Sequence, residues 1–131
     1  MSLNTATQTK ILIIEDDAYM QLILSEFLNN VYKIETCNNV VDAINYLQSG
    51  NMPDLIISDL NTPNISGLEL ISQLKSSSFF KSIPIIIISG DDSSDKRIKC
   101  LNTGADDYIV KPFNPAELEA RIRVILKRTG K

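Results

Sequence analysis

Histidine is missing from the chain altogether. That absence excludes a histidine-based zinc site and any nucleophile–histidine triad. Cysteine is scarce: Cys37 and Cys100 stand far apart, in no metal-ligand spacing, and are expected as two buried thiols rather than a disulfide. No apolar run approaches the ~18 residues of a membrane span. The first ten residues, Met1 to Lys10, are polar and lack the apolar centre of a signal peptide. Met1-Ser2-Leu3 is set aside as an expression scar, and the cytoplasm is the expected compartment. There is no basic block either: the net charge is −3 and the pI about 4.9, so no electrostatic footprint for nucleic acid is present. Repeats, linkers and low-complexity segments are lacking too. The 131 residues of the whole chain, 44% hydrophobic and 22% charged, suit one soluble domain with one core.

What is there alternates. Short apolar runs give way to longer segments of helical period, the pattern of a parallel sheet wrapped by helices. Ile11 to Ile14 reads as a strand buried on both faces. A helix follows in which Met20, Leu24, Phe27 and Leu28 form one stripe. Lys33 to Cys37 alternates like an edge strand. Asn38-Asn39 offers a cap to a helix carrying Val40, Ile44 and Leu47, stopped at Ser49-Gly50. Leu55 to Ser58 leads to Asp59, and Gly67 to Lys75 forms a third helix with Leu68, Ile71 and Leu74 inward. Ile85 to Ile88 is the most apolar stretch and a central strand. The helical segment Ser93 to Asn102 has only Ile98, Leu101 and Cys100 to bury. Tyr108 to Val110 is the fifth strand. Asn114-Pro115-Ala116-Glu117 is a helix start, and Leu118, Ile122, Ile125 and Leu126 are the stripe behind it. Five strands and five helices in alternation, joined by right-handed crossovers, predict an α/β, doubly wound, five-stranded parallel sheet.

In such a sheet the chemistry gathers at the carboxyl ends of the strands. The first strand delivers Glu15 and Asp16, the third Asp59, the fourth Ser89 and the fifth Lys111. With strand order 2-1-3-4-5 the first and third strands are neighbours, so the three acids crowd together. Crowded carboxylates repel, so one stays protonated or a hard cation such as Mg²⁺ binds. Acids, a divalent metal, a lysine and a hydroxyl make a kit for a phosphoryl group. Read one at a time, the pieces are ordinary: Asp16 and Asp17 as helix caps, Asp59 and Ser89-Gly90 as turns, Lys111 as a loop lysine. Their placement at the same end of their respective strands favours the shared site.

The residues Ile13-Ile14-Glu15-Asp16-Asp17, Asp59-Leu60-Asn61-Thr62-Pro63 with Gly67, Ile88-Ser89-Gly90 and Gly104-Ala105-Asp106-Asp107-Tyr108-Ile109-Val110-Lys111-Pro112-Phe113 resemble a response-regulator receiver domain. The likeness covers residues 10–128, leaving 1–9 as a disordered tail or scar and 129–131 as a C-terminal tail. It implies the flavodoxin-like order 2-1-3-4-5. It further implies that Asp59 accepts a phosphoryl group from a sensor histidine kinase or histidine phosphotransfer protein. Asp16, Asp59 and the Asn61 carbonyl would hold Mg²⁺ (with Mn²⁺ as a substitute), and Glu15 would act through water. Lys111 would pair with Asp59 and then with the phosphoryl group, Ser89 would bond a phosphoryl oxygen, and Tyr108 would be the switch. Asn61 and Asp91 would tune the lifetime of the phosphoryl state, and Lys111-Pro112 would be a cis peptide. Thr62 departs from the methionine frequent in the family, with little expected consequence.

The resemblance also implies an output partner or domain read through the fourth helix, fifth strand and fifth helix, and a homodimer face there; the charge and the lack of a long apolar run already predict no direct nucleic-acid binding and no membrane. The domain would catalyse its own phosphotransfer and dephosphorylation without being a turnover enzyme. It is expected either to stand alone or to be part of a larger regulator. Asp106-Asp107 with Arg121 and Arg123 resembles the charged dimer face of winged-helix regulators, although a solvated face is the preferred reading because surface ion pairs are weak. Three alternatives compete with this reading. An aspartyl phosphatase of the haloacid-dehalogenase type would need a second acid where Asn61 stands. A flavin-mononucleotide binder would need a phosphate-binding loop where Glu15-Asp16-Asp17 repels phosphate. A pseudo-receiver would lack an acceptor-site residue, and none is missing.

Overall fold

The aliphatic runs form strands because β-branched side chains pack well on a pleated surface covered on both faces. In a computed structural model that describes residues 8–130, the order is β1 (Lys10–Ile14), α1 (Ala18–Leu28), β2 (Lys33–Cys37), α2 (Val40–Gln48), β3 (Leu55–Asp59), α3 (Gly67–Ser76), β4 (Ile85–Ser89), α4 (Ser94–Thr103), β5 (Asp107–Val110) and α5 (Pro115–Arg128). All strands are parallel, in the order β2-β1-β3-β4-β5. Alternate side chains of the central strands feed two core layers. Leu12, Ile14, Ile56, Ile85 and Ile87 meet α2, α3 and Cys100 of α4, while Ile11, Ile13, Ile57, Ile86 and Ile88 meet α1 and α5. The register aligns Ile14 with Ser58, Asp59 with Ile88 and Ser89 with Val110, so the polar strand ends share one edge.

Side chains close the helices at that edge. Asp17 caps α1, Asn39 caps α2, and Ser66 forms a capping box with Glu69 at α3. Ser93 caps α4, and Asn114 caps α5 ahead of Pro115.

Several expected core positions lie outward. Phe27 is 40% exposed because the buried stripe of α1 runs through Leu24 and Leu28, and Phe27 is rotated about 100° from Leu28. In α3 the buried side chains are Leu70, Ile71 and Leu74, beside the buried Gly67, with Leu68 half-buried. In α4 only Cys100 is buried; Ile98 is 52% exposed and Leu101 41%, each turned off the single inward row. Cys37 is half-buried rather than buried, and both cysteines are free thiols. Residues 1–7 of the expected N-terminal tail, and Lys131 of the C-terminal one, lie outside the described residues. Thr9 offers its carbonyl to the Lys33 N–H, and the Thr129 hydroxyl donates to the Leu126 carbonyl.

Candidate functional site

The site begins where β1 stops. Glu15, the residue after Ile14, is drawn inside to 2% exposure and donates its N–H to the Cys37 carbonyl of β2. A buried carboxylate needs partners. Glu15 Oε2 accepts the Asp17 N–H at 3.1 Å, and Oε1 accepts from Lys111 Nζ at 3.3 Å. Asp17 spends its own carboxylate on the Tyr19 N–H, so it is a cap and stands apart from the acid cluster. Asp16 is exposed beside them.

Asp59 closes β3. Its Oδ1 accepts the Asn61 N–H at 3.2 Å, and its Oδ2 accepts from Lys111 Nζ at 3.2 Å. The loop behind it is drawn tight by the Gly67 N–H on the Leu60 carbonyl. Gly67 permits that approach: a Cβ there would stand 2.9 Å from the Asp59 carbonyl oxygen and 3.1 Å from the Leu60 Cα. Lys111 arrives from the end of β5, followed by a cis bond to Pro112.

One carboxylate oxygen from each of Glu15, Asp16 and Asp59 lies within 4.8 Å of the others. The donors are all oxygen, and oxygens around a shared Mg²⁺ sit about 3–4 Å apart, so the set fits a hard divalent cation after a small adjustment. Electrostatics agree. Burial pushes the Glu15 carboxyl above the usual carboxylate range; the Asp17 N–H opposes that, and the nearby Asp59 charge reinforces it. Burial alone would lower the Lys111 ammonium, but Asp59 and Glu15 together outweigh it and hold the pKa above the ordinary lysine value.

The next strand end carries a second group of contacts. Ser89 is buried, and its Oγ accepts the Asp91 N–H at 3.0 Å. Tyr108 is also buried, turned inward with its hydroxyl donating to the Asp91 carbonyl at 2.6 Å. Asp91 Oδ1 accepts the Ser93 N–H, which holds its carboxyl below the usual range. The structure therefore brings Glu15, Asp16, Asp59 and Lys111 into one cluster, and joins Ser89 to Tyr108 through the Asp91 backbone. The charged pair proposed for a dimer face is split. Arg121 reaches Asp107 at 3.0 Å and Glu117 at 3.0 Å, and Arg123 pairs with Glu119. Asp106 instead accepts the Ile85 N–H and lies 3.9 Å from Lys75.

One residue escaped the sequence reading. Gln21 lies on α1 and directs its carboxamide to the Glu15 carbonyl and to Asn38 Oδ1. A lone polar residue on a helix gives no periodic or motif signal, and its partners are contributed by two other loops.

The sequence profile of the response regulator receiver domain matches residues 11–123. The chain is 36% identical over 122 residues to the response regulator MprA of Mycobacterium sp. (strain KMS), covering 92% of this chain and 52% of that protein. It spans about half the length of the curated relatives it matches. Among solved structures it is similar to the signal receiver domain of a signal transduction histidine kinase from Syntrophus aciditrophicus. The TM-score is 0.84 and the identity 32%, over 91% of this chain and 90% of that one. A CheY-like response regulator receiver domain protein from Methanospirillum hungatei JF-1 gives a TM-score of 0.86 at 25% identity, over 94% and 97%.

Proposed function

Because the chain belongs to the response regulator receiver domain family, we propose that it is a phosphorylatable switch in which Asp59 accepts a phosphoryl group. The observation that carries this reading is the state of the Asp59 carboxylate. It is fixed by the Asn61 N–H on one oxygen and by the Lys111 ammonium on the other, at the rim of an all-oxygen acid cluster. An Asp59 oxygen attacks phosphorus, the P–N bond of a phosphohistidine breaks, and the leaving imidazole takes up a proton. The described sequence holds no histidine, so the donor is a residue of a partner, a histidine kinase or phosphotransfer protein. Asp16, Asp59, the Asn61 carbonyl and, through water, Glu15 would hold Mg²⁺ or Mn²⁺, which neutralises charge on the phosphoryl oxygens.

Lys111 carries its charge from the acid pair to the phosphoryl group. The Ser89 hydroxyl turns to a phosphoryl oxygen and leaves the Asp91 N–H. Tyr108, bonded to the same residue, senses that change and passes it to the surface of α4, β5 and α5. α4 suits such a role, since one buried side chain anchors it. Arg121 on α5, beside Asp107 of β5, supplies a charge for a homodimer contact on that surface, provided its internal partners are exchanged, whereas Arg123 pairs with Glu119 on the side of α5 that faces Tyr32. Asn61 and Asp91 tune how quickly water removes the phosphoryl group; polar groups at both favour a short-lived state. The protein acts in the cytoplasm as a relay component rather than a turnover enzyme, and it hands its state to an output partner or domain.

Incubation with Mg²⁺ and acetyl phosphate tests the reading. Wild type should acquire an acid-stable, base-labile phosphoryl group, and Asp59→Asn should acquire none. Labelling that persists in Asp59→Asn would overturn the assignment.

A further inference from the structure

Asp16 is the weakly held member of the acid cluster. Glu15 is buried and bonded at both carboxylate oxygens, and Asp59 is held at both of its own. The Asp16 carboxylate is exposed and takes no hydrogen bond from the described residues, so the backbone is the part of the residue through which its neighbours can set where the carboxylate starts from. That backbone is a planar peptide shared with Glu15: the Glu15 carbonyl and the Asp16 Cα lie in one rigid plane. Whatever holds that carbonyl also aims Asp16.

Gln21 holds it. Its backbone N–H bonds the Asp17 carbonyl in the first turn of α1, and its side chain runs back toward the helix N-terminus, as long helical side chains do. The carboxamide nitrogen has two protons. It donates to the Glu15 carbonyl in a short bond, with the Cys37 carbonyl at 3.4 Å, and to Asn38 Oδ1 at 2.8 Å. The Glu15 N–H already bonds the Cys37 carbonyl at 3.0 Å. Glu15 is thus pinned at both its N–H and its C=O, and the loop after β1 is tied to the loop after the edge strand β2.

We propose that Gln21, braced by Asn38, is a positioning residue that aims the Glu15–Asp16 pair and so sets the affinity of the acid cluster for its divalent cation. This rests on the reading of that cluster given above. Groups that orient metal ligands without touching the metal commonly change affinity by 10–100-fold. Gln21 touches neither Asp59 nor Lys111, so its effect belongs to cation binding rather than to the transfer itself.

Gln21→Met keeps the length of the side chain and removes the donor. Calorimetric titration of the purified protein with Mg²⁺ should show an affinity about 10-fold weaker than wild type. In acetyl phosphate labelling, the half-saturating Mg²⁺ concentration should rise by the same factor, while the rate at saturating Mg²⁺ stays at the wild-type value. A general loosening of the fold would lower both. Asn38→Ala, which leaves the Glu15 contact in place, should show a smaller loss, and the double variant should be no worse than Gln21→Met alone. A Gln21→Met affinity within about 2-fold of wild type, or a lowered rate at saturating Mg²⁺, overturns the positioning role. Wild type that fails to bind Mg²⁺ at all overturns the reading of the cluster as well, so the two failures are distinguishable.

Discussion

Lys111 Nζ stands 3.2 Å from Asp59 and 3.3 Å from Glu15, and the charge balance of the acid cluster depends on it. Replacing it with methionine leaves two partly or fully buried carboxylates facing each other without a counter-ion. Lys111→Met should therefore cost the metal-free protein about 2 kcal/mol in urea unfolding under chelation. The same change should tighten Mg²⁺ binding in calorimetry, because the ammonium no longer competes for the oxygens. Tyr32 gives a pH test far from this site. Burial, and after it the Glu119 carboxylate that its hydroxyl bonds at 3.2 Å, push the phenol up to about 12. Its unfolded value is about 10, so the unfolded chain ionises first. The stability it contributes is complete below pH ~10 and is lost as pH rises toward 12, a change on the order of 2–3 kcal/mol. Urea unfolding should find Tyr32→Phe less stable than wild type near neutral pH, with the gap closing above pH ~10. A gap that stays constant would refute the shift. Tyr32 and Glu119 lie 87 positions apart, and no local pattern in the sequence could have paired them.

At the scale of the element, β3, its loop and α3 form the unit that presents Asp59. The loop turns at Asn64, whose φ of 71° is the left-handed geometry asparagine tolerates. It is held by the Thr62 hydroxyl on the Ile65 carbonyl and ends in the Ser66–Glu69 capping box. Gly67 opens α3, and two effects compete at Gly67→Ala. Alanine favours helix by up to about 1 kcal/mol, whereas overpacking costs about 1–3 kcal/mol. The atoms a Cβ would meet, the Asp59 carbonyl and the Leu60 Cα, are backbone and cannot rotate away. Overpacking should win, with a net loss of about 1–2 kcal/mol in thermal or urea unfolding. The displaced Asp59 peptide should also slow acetyl phosphate labelling roughly 10-fold or more. A stabilised or fully active Gly67→Ala would show that the loop yields at little cost.

For the whole molecule, legibility followed the physics of each layer. The central strands were readable because a parallel sheet covered on both faces demands unbroken aliphatic runs, and Ile85–Ile88 has no other use. Glu15, Asp16, Asp59, Ser89 and Lys111 were placed at one edge because every parallel strand delivers its carboxyl end there. The outward turn of Phe27, Ile98 and Leu101 was not readable, since periodicity finds a stripe but not how wide a neighbour covers it. Gln21 was invisible because its partners, Glu15 and Asn38, come from other loops. The acid cluster then makes a claim on the stability of the entire domain. Burial has raised the Glu15 carboxyl, so the metal-free fold disfavours its charged form, a cost that a bound cation offsets. Both core layers share the same strands, so relief at the strand ends should register in global unfolding. A ligand bound to the native state at ten times its dissociation constant stabilises by about 1.4 kcal/mol, which for a domain of this size is about 5 °C. Mg²⁺ should therefore raise the thermal midpoint by roughly that amount at ten times its dissociation constant, rising further with the logarithm of concentration. Asp16→Asn and Asp59→Asn should each flatten the response. A wild-type midpoint indifferent to millimolar Mg²⁺ would mean that these three carboxylates meet for some other reason.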